Sequence, residues 1–269
     1  MLKIKNLSIT FNKNTINEKK ALDHLDLTLE DGDFVTVIGS NGAGKSTLLN
    51  CISGTYASSR GKIILDGIEI QRMKEHKRAK MIGRLFQDPL MGTAPNMTIE
   101  ENIELAYRRG NKKNDIYHRF LKLSLTKEEK ELFHNKIKSL DLGLEDRMKS
   151  KVGLLSGGQR QALTLMMATI IPPTLLLLDE HTAALDPKTA AKVMDITQKV
   201  ISENHTTTLM ITHNIRHALA YGNRMIVMSD GKILMEFSEE EKKKMSVEDV
   251  MKIYASANIK DLSDNMILE

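Results

Sequence analysis

The sequence predicts an α/β fold, a core of mainly parallel sheet with an antiparallel β subdomain and an inserted helical subdomain. Three observations carry this. Two short apolar runs, Phe34-Val35-Thr36-Val37-Ile38 and Leu175-Leu176-Leu177-Leu178, read as strands covered on both faces. The first stops at a glycine-rich turn and the second at Asp179-Glu180. Between them lies a long charged stretch, 99–150, that is poor in β-branched runs and reads as mainly helical.

Taken in order, residues 2–10 and 24–30 read as strands. In the second, Leu25, Leu27 and Leu29 alternate with His24, Asp26, Thr28 and Glu30, so one face is wet. The polar stretch Asn12 to Lys20 reads as a loop. Asp31-Gly32-Asp33 turns the chain into the first buried run, and residues 62–65 and 81–86 read as further short strands. Thr98-Ile99-Glu100-Glu101 is a capping box, so a helix should start near Ile99 and open the inserted subdomain, about residues 99–160. Asp186-Pro187 starts a helix with Pro at its first turn, in which Val193, Ile196 and Val200 fall on one face. Thr206 to Ile211 is the next strand. Residues 224–229 and 232–237 flank Asp230-Gly231, a strong hairpin signal. Residues 1–237 thus read as one domain, and 238–269 as a short charged tail with one short helix.

Composition bounds the function. The chain has 269 residues, 41% of them apolar, enough for a real core. No window of 18 uninterrupted apolar residues offers a transmembrane helix, and the N-terminus lacks a signal-peptide pattern. The single Cys51 cannot form an internal disulfide and reads as a small buried residue, which fits a reducing cytoplasm. A net charge of +4 is modest, and its basic residues are interleaved with acids, as in Glu240-Glu241-Lys242-Lys243-Lys244. With no Trp and 4% aromatics, nucleic acid is not an expected partner.

The chemistry starts at Gly39-Ser40-Asn41-Gly42-Ala43-Gly44-Lys45-Ser46, a complete G-x-x-x-x-G-K-[ST] match between a buried strand and a run of helix formers beginning Thr47-Leu48-Leu49. Glycines let successive backbone N–H groups point at phosphate oxygens, and the following helix adds its positive end. Lys45 supplies a mobile point charge for the β- and γ-phosphates, and the Ser46 hydroxyl can ligate Mg²⁺. A glycine-rich turn could merely redirect the chain, but the lysine, the hydroxyl and the flanking elements together point to a phosphate-loop NTPase core. Asp179, at the carboxyl end of a buried strand, is placed to hold Mg²⁺. Glu180 is the candidate to orient and deprotonate an attacking water.

Leu155-Ser156-Gly157-Gly158-Gln159 resembles the signature sequence of ABC ATPases, although Ser156 and Gln159 also form a plain helix-capping pair. The resemblance runs over roughly residues 2 to 237, with the motifs in family order. It implies that Gln87, in Phe86-Gln87-Asp88-Pro89, reaches Mg²⁺ and the attacking water. It also implies that His213 contacts the γ-phosphate, that Asp186 touches the opposite subunit, and that Phe11 stacks on adenine. Two positions depart from the family pattern. His181 follows Glu180 where proline is common, and reads as a packing variant. Ala stands in Ala183-Ala184-Leu185-Asp186 where Ser is common.

The resemblance further implies an ATP-dependent homodimer in which Ser156, Gly157, Gly158, Gln159 and Asp186 complete the ATP site of the other copy. The segment from Gln87 to Met97 and the helical region would pass motion to transmembrane permease subunits. The expected function is an ATPase, peripheral on the cytoplasmic face of the membrane, that powers a bacterial importer served by an extracellular binding protein. The similarity leans toward amino-acid importers, those for aromatic amino acids included. An exporter ATPase or a non-transport ABC ATPase are the alternatives.

Overall fold

The structure is a computed structural model that describes residues 1–110 and 125–256. The chain divides into two units: Met1–Arg84 with Thr174–Glu180 and His205–Glu269, and Leu85–Pro173 with His181–Asn204.

The first unit holds two sheets. In the first sheet β1 (Leu2–Phe11) pairs antiparallel with β2 (Lys19–Leu29) and with β4 (Arg60–Leu65), and β4 turns back into β5 (Ile68–Glu69). The second sheet has the order β10-β9-β3-β8-β7-β6, formed by β3 (Phe34–Gly39), β6 (Ile82–Leu85), β7 (Leu175–Asp179), β8 (Thr208–Ile211), β9 (Arg224–Ser229) and β10 (Lys232–Ser238). β3 runs parallel to both β8 and β9, and β7 runs parallel to β8, while the β9–β10 hairpin is antiparallel. Asp230 and Gly231 both have positive φ in that hairpin, 49° and 75°, the geometry of a two-residue turn with left-handed central residues.

Side chains of β3 alternate between two cores. Val35 and Val37 face one that contains Leu48, Leu49 and Ile52 of α1 (Lys45–Ser53), Leu175 and Leu177 of β7, and the buried leucines of β1 and β2. Ile38 faces the other, with Met225 and Val227 of β9. Burial on both faces explains why β7 is apolar up to Asp179 and β3 is apolar except for Thr36, whose buried hydroxyl donates to the Ala218 carbonyl at 3.0 Å.

Three local outcomes differ from the sequence expectation. β2 begins at Lys19 rather than near residue 24, pairing Phe11 with Lys19 and Thr10 with Lys20. It is the edge strand of its sheet, where exposed lysines are tolerated and serve to block further pairing, so its start looks like loop. The strand β5 was not expected, although Asp66-Gly67 is the same turn signal as Asp230-Gly231. The C-terminal residues, expected to hold one short helix, fold to residue 256 as α8 (Glu239–Lys242) and α9 (Val247–Ser256). In α9, Val250 and Tyr254 are fully buried against Ile38, Ile215 and Ala218. Burying each contributes roughly 1.5–3 kcal/mol, so this segment is part of the core. The short helices α2 (Glu75–Arg78) and α7 (Ile215–Ala220) complete the first unit.

The second unit is helical among its described residues. α3 (Ile99–Gly110) starts where expected: Glu101 Oε2 accepts the Thr98 backbone N–H at 2.7 Å, and Thr98 Oγ1 accepts that of Glu101 at 3.2 Å. α4 (Lys127–Lys138) buries Phe133 and Ile137 and sets Phe133 edge-on to Tyr107 of α3. α5 (Gly157–Thr169) packs on α6 (Pro187–Asn204), whose Val193, Ile196 and Val200 are buried on one face as the spacing predicts. Within 99–150, residues 111–124 lie outside the described residues.

Candidate functional site

Parallel register assembles the site. Asp179 pairs with Ile211, and Ile211 with Val37, so the carboxyl ends of β7, β8 and β3 lie level. Two residues past Val37 is Gly39, one past Asp179 is Glu180, and two past Ile211 is His213. At about 3.3 Å per residue, all three emerge at one edge of the sheet, where open α/β sheets bind ligands.

The loop Gly39 to Gly44 turns tightly there. The Ala43 N–H donates to the Ser40 carbonyl at 3.2 Å, and the Ala43 carbonyl accepts the Gly231 N–H at 3.0 Å. Gly44 has φ +100°, and a Cβ on it would lie 2.5 Å from the Ala21 carbonyl oxygen. A Cβ on Gly39 would lie 2.3 Å from that of Met228, so no other residue fits at either position. α1 begins at Lys45 with no side-chain cap and no acidic residue in its first turn. Its leading N–H groups therefore remain free for an anion. Asn41, Gly42 and Ser46 are exposed, Thr47 is half-buried, and Ser40, Ala43 and Lys45 are buried.

Lys45 folds back on its own loop, its Nζ donating to the carbonyls of Gly39 at 2.6 Å and Ser40 at 3.0 Å. Burial lowers its pKa from the ordinary value, and the charges of Glu180 and Asp179 oppose that shift. An ammonium held only by neutral carbonyls in a desolvated loop has unspent attraction for an oxyanion.

Asp179 points Oδ1 toward Ser46 Oγ at 3.4 Å and Oδ2 toward Arg84 Nη2 at 3.6 Å. Burial raises its pKa; Arg84 pulls it back down, and the neighbouring Glu180 pushes it further up. Glu180 Oε1 lies 2.5 Å from His213 Nε2, and the buried His213 Nδ1 carries no hydrogen bond. Glu180 sits at φ +48°, left-handed backbone that a glutamate enters only under strain. Phe11 closes β1, half-buried and edge-on to Tyr56 with ring centroids 5.2 Å apart. Arg84 is a functional candidate that only the structure brings forward; in the sequence its one signal is a lone cation in the apolar strand Ile82-Gly83-Arg84-Leu85.

The remaining residues belong to the second unit. Gln87 is exposed, in a segment anchored by the Gln161 amide donating to the Phe86 carbonyl at 3.2 Å. Ser156 and Gln159 form a reciprocal capping box on α5, the plain role their spacing allowed. Gly157 faces Leu185, and Gly158 packs so closely on Thr189 that a Cβ would lie 2.1 Å from its methyl carbon. The exposed start of α5 is thus held beside the start of α6, where Asp186 Oδ1 caps the Thr189 N–H at 3.1 Å. His181 is buried, with Nε2 3.1 Å from Thr197 Oγ1, as suits a packing residue.

These features fit a nucleoside triphosphate: an uncapped helix start, glycines where any Cβ would collide, and a lysine without an anionic bond. Ser46 and Asp179 offer hard oxygens of the kind Mg²⁺ takes. Among the described residues no three His, Cys, Asp or Glu side chains are grouped to hold a metal ion.

Comparison with known proteins agrees. The family model described as ABC transporter matches residues 22–183. A tyrosine transport ATP-binding protein of Clostridioides difficile (strain R20291) is 44% identical over 96% of this chain and 100% of its own length. The phosphonates import ATP-binding protein PhnC of Lactococcus lactis subsp. lactis (strain IL1403) is 31% identical over 93% of this chain and 98% of its own. Among solved structures, a dimeric post-hydrolysis state of the ATP-binding cassette MJ0796 bound to ADP and Pi superposes with TM-score 0.74 at 29% identity. It covers 89% of this chain and 99% of that one.

Proposed function

This chain belongs to the ABC transporter family as an ATP-binding, ATP-hydrolysing subunit, and from that premise we propose that it powers import of an amino acid through a partner membrane permease. The observation that carries the cargo class is the 44% identity, over nearly the whole of both chains, to a subunit named for tyrosine transport. An extracellular binding protein would deliver the solute, and the subunit would sit on the cytoplasmic face. No helix among the described residues is long and apolar enough to cross a membrane.

At the site, Gly39 to Thr47 wrap the phosphates and Lys45 turns from its carbonyls to the β- and γ-oxygens. Phe11 lies against the adenine. Ser46 and Asp179 would hold Mg²⁺, with Gln87 as the further ligand the family resemblance implies; when bound, the ion would offset the negative charge of the phosphates. Glu180 accepts a proton from the attacking water, and His213, fixed against Glu180 through Nε2, faces the γ-phosphate. Ser156, Gly157, Gly158, Gln159 and Asp186 of one copy close the site of the other. ATP binds the closed pair more tightly than the open one and so shifts that equilibrium, and hydrolysis releases it.

The test is transport in proteoliposomes holding this subunit, its permease and its binding protein, with labelled tyrosine. Uptake that requires ATP on the subunit's side and stops on Glu180→Gln supports import. ATP-driven efflux, or no response to any amino acid, overturns the proposed cargo and direction.

A further inference from the structure

Arg84 is a cation on β6 with a largely buried side chain, and its hydrogen bonds to Asn50, Ser53 and Thr55 and its ion pair with Asp179 lie within the first unit. Nη2 donates to Asn50 Oδ1 at 2.8 Å, and Nη1 donates to Ser53 Oγ at 3.0 Å and Thr55 Oγ1 at 3.3 Å. Asn50 and Ser53 form the last turn of α1, the helix that the phosphate loop opens. The same guanidinium faces Asp179 Oδ2 at 3.6 Å, while Asp179 Oδ1 faces Ser46 at the first turn of α1. One planar fork therefore ties the far end of α1 to the tip of β7, and it makes the two oxygens of Asp179 inequivalent.

We infer that Arg84 is a positioning residue for the divalent-cation site: it holds Asp179 Oδ2 so that Oδ1 is presented beside Ser46. This rests on the reading of Asp179 as a Mg²⁺ ligand. A guanidinium suits the task, because its donors leave in fixed directions and it stays charged when buried. Its charge also offsets the repulsion between two adjacent, largely buried acids, Asp179 and Glu180. With Oδ2 facing Arg84 at 3.6 Å, Oδ1 lies on the Ser46 side at 3.4 Å, the side a metal ion would occupy. Groups that orient a metal ligand from behind commonly change metal affinity by about 10- to 100-fold when removed.

The experiment measures binding of a non-hydrolysable ATP analogue by calorimetry, with Mg²⁺ chelated and with Mg²⁺ saturating, in the parent and in Arg84→Met, Arg84→Lys and Asp179→Asn. For Arg84→Met the expected result is affinity within about twofold of the parent without Mg²⁺, and a gain on adding Mg²⁺ that is about tenfold smaller. Arg84→Lys, which keeps the charge but not the fork, should recover part of that gain. A merely structural arginine would change thermal stability and leave the Mg²⁺ gain intact. If Arg84→Met does not fold, Arg84→Lys decides: a reduced Mg²⁺ gain supports the inference, and a full one overturns it. Asp179→Asn separates the two readings. If it keeps the full Mg²⁺ gain, Asp179 is not the ligand. If it loses the gain while both Arg84 variants keep it, Asp179 stands and the role of Arg84 falls.

Discussion

Glu180 combines the proposed base with a left-handed backbone, φ +48°, and the two properties can be pulled apart by a pair of substitutions. Glu180→Ala removes the carboxylate and keeps the strain; Glu180→Gly removes both. Left-handed backbone costs a residue with a Cβ roughly 1–2 kcal/mol, and the greater freedom of glycine in the unfolded chain offsets about 0.5–1 kcal/mol of the relief. Glu180→Gly should therefore be more stable than Glu180→Ala by about 0.5–1 kcal/mol. For a chain of this size that raises Tm by roughly 1–4 °C in scanning calorimetry without nucleotide. Both variants should lose ATP hydrolysis, because neither can take the proton from water. The reasoning fails if Glu180→Ala is the more stable of the two, as at an ordinary backbone position, or if either variant hydrolyses ATP at the parental rate.

Lys45→Ala removes a charged donor to phosphate, so ATP affinity should fall by about 1.5–3 kcal/mol, roughly 10- to 150-fold in Kd by equilibrium binding. Lys242 is buried, donates to the carbonyls of Tyr221 and Gly222, and burial lowers its pKa from 10.5 to about 8. Its folded state holds the proton less tightly than the unfolded chain. Stability should thus be lowest below pH 8 and rise between pH 8 and 10.5, by at most about 3 kcal/mol. Lys242→Met should lack that rise in urea unfolding measured across the window. Gly158→Ala should destabilise the protein by about 1–3 kcal/mol through its collision with the Thr189 methyl, and Thr189→Ala should restore the loss in thermal unfolding.

The parts of the fold that were legible in the sequence are those where one physical demand acts alone. β3 and β7 announce themselves because burial on both faces favours apolar side chains, with Thr36 admitted only as its hydroxyl is hydrogen-bonded. The hairpin at Asp230-Gly231 and the start of α3 at Thr98 rest on local backbone chemistry that needs no tertiary context. The loop Gly39 to Ser46 was legible for a related reason: Gly39 and Gly44 answer to collisions with nearby backbone. Where two demands compete, the signal fades. Lys19 and Lys20 are strand residues whose charges protect an edge, and they read as loop. Val250 and Tyr254 stand four apart in a charged segment, which conceals that they complete the core under Ile38. Arg84 carries meaning through residues such as Asp179 and Asn50, which lie 95 and 34 positions away in the chain, and no local pattern could bring them together.

Nucleotide shared between two copies is the central claim, and the molar mass of Glu180→Gln by light scattering, with and without saturating ATP and Mg²⁺, tests it most directly. The mass should double on adding ATP and stay that of one chain when Ser156→Arg is introduced as well. A protein that binds ATP fully yet remains a single chain would contradict the account.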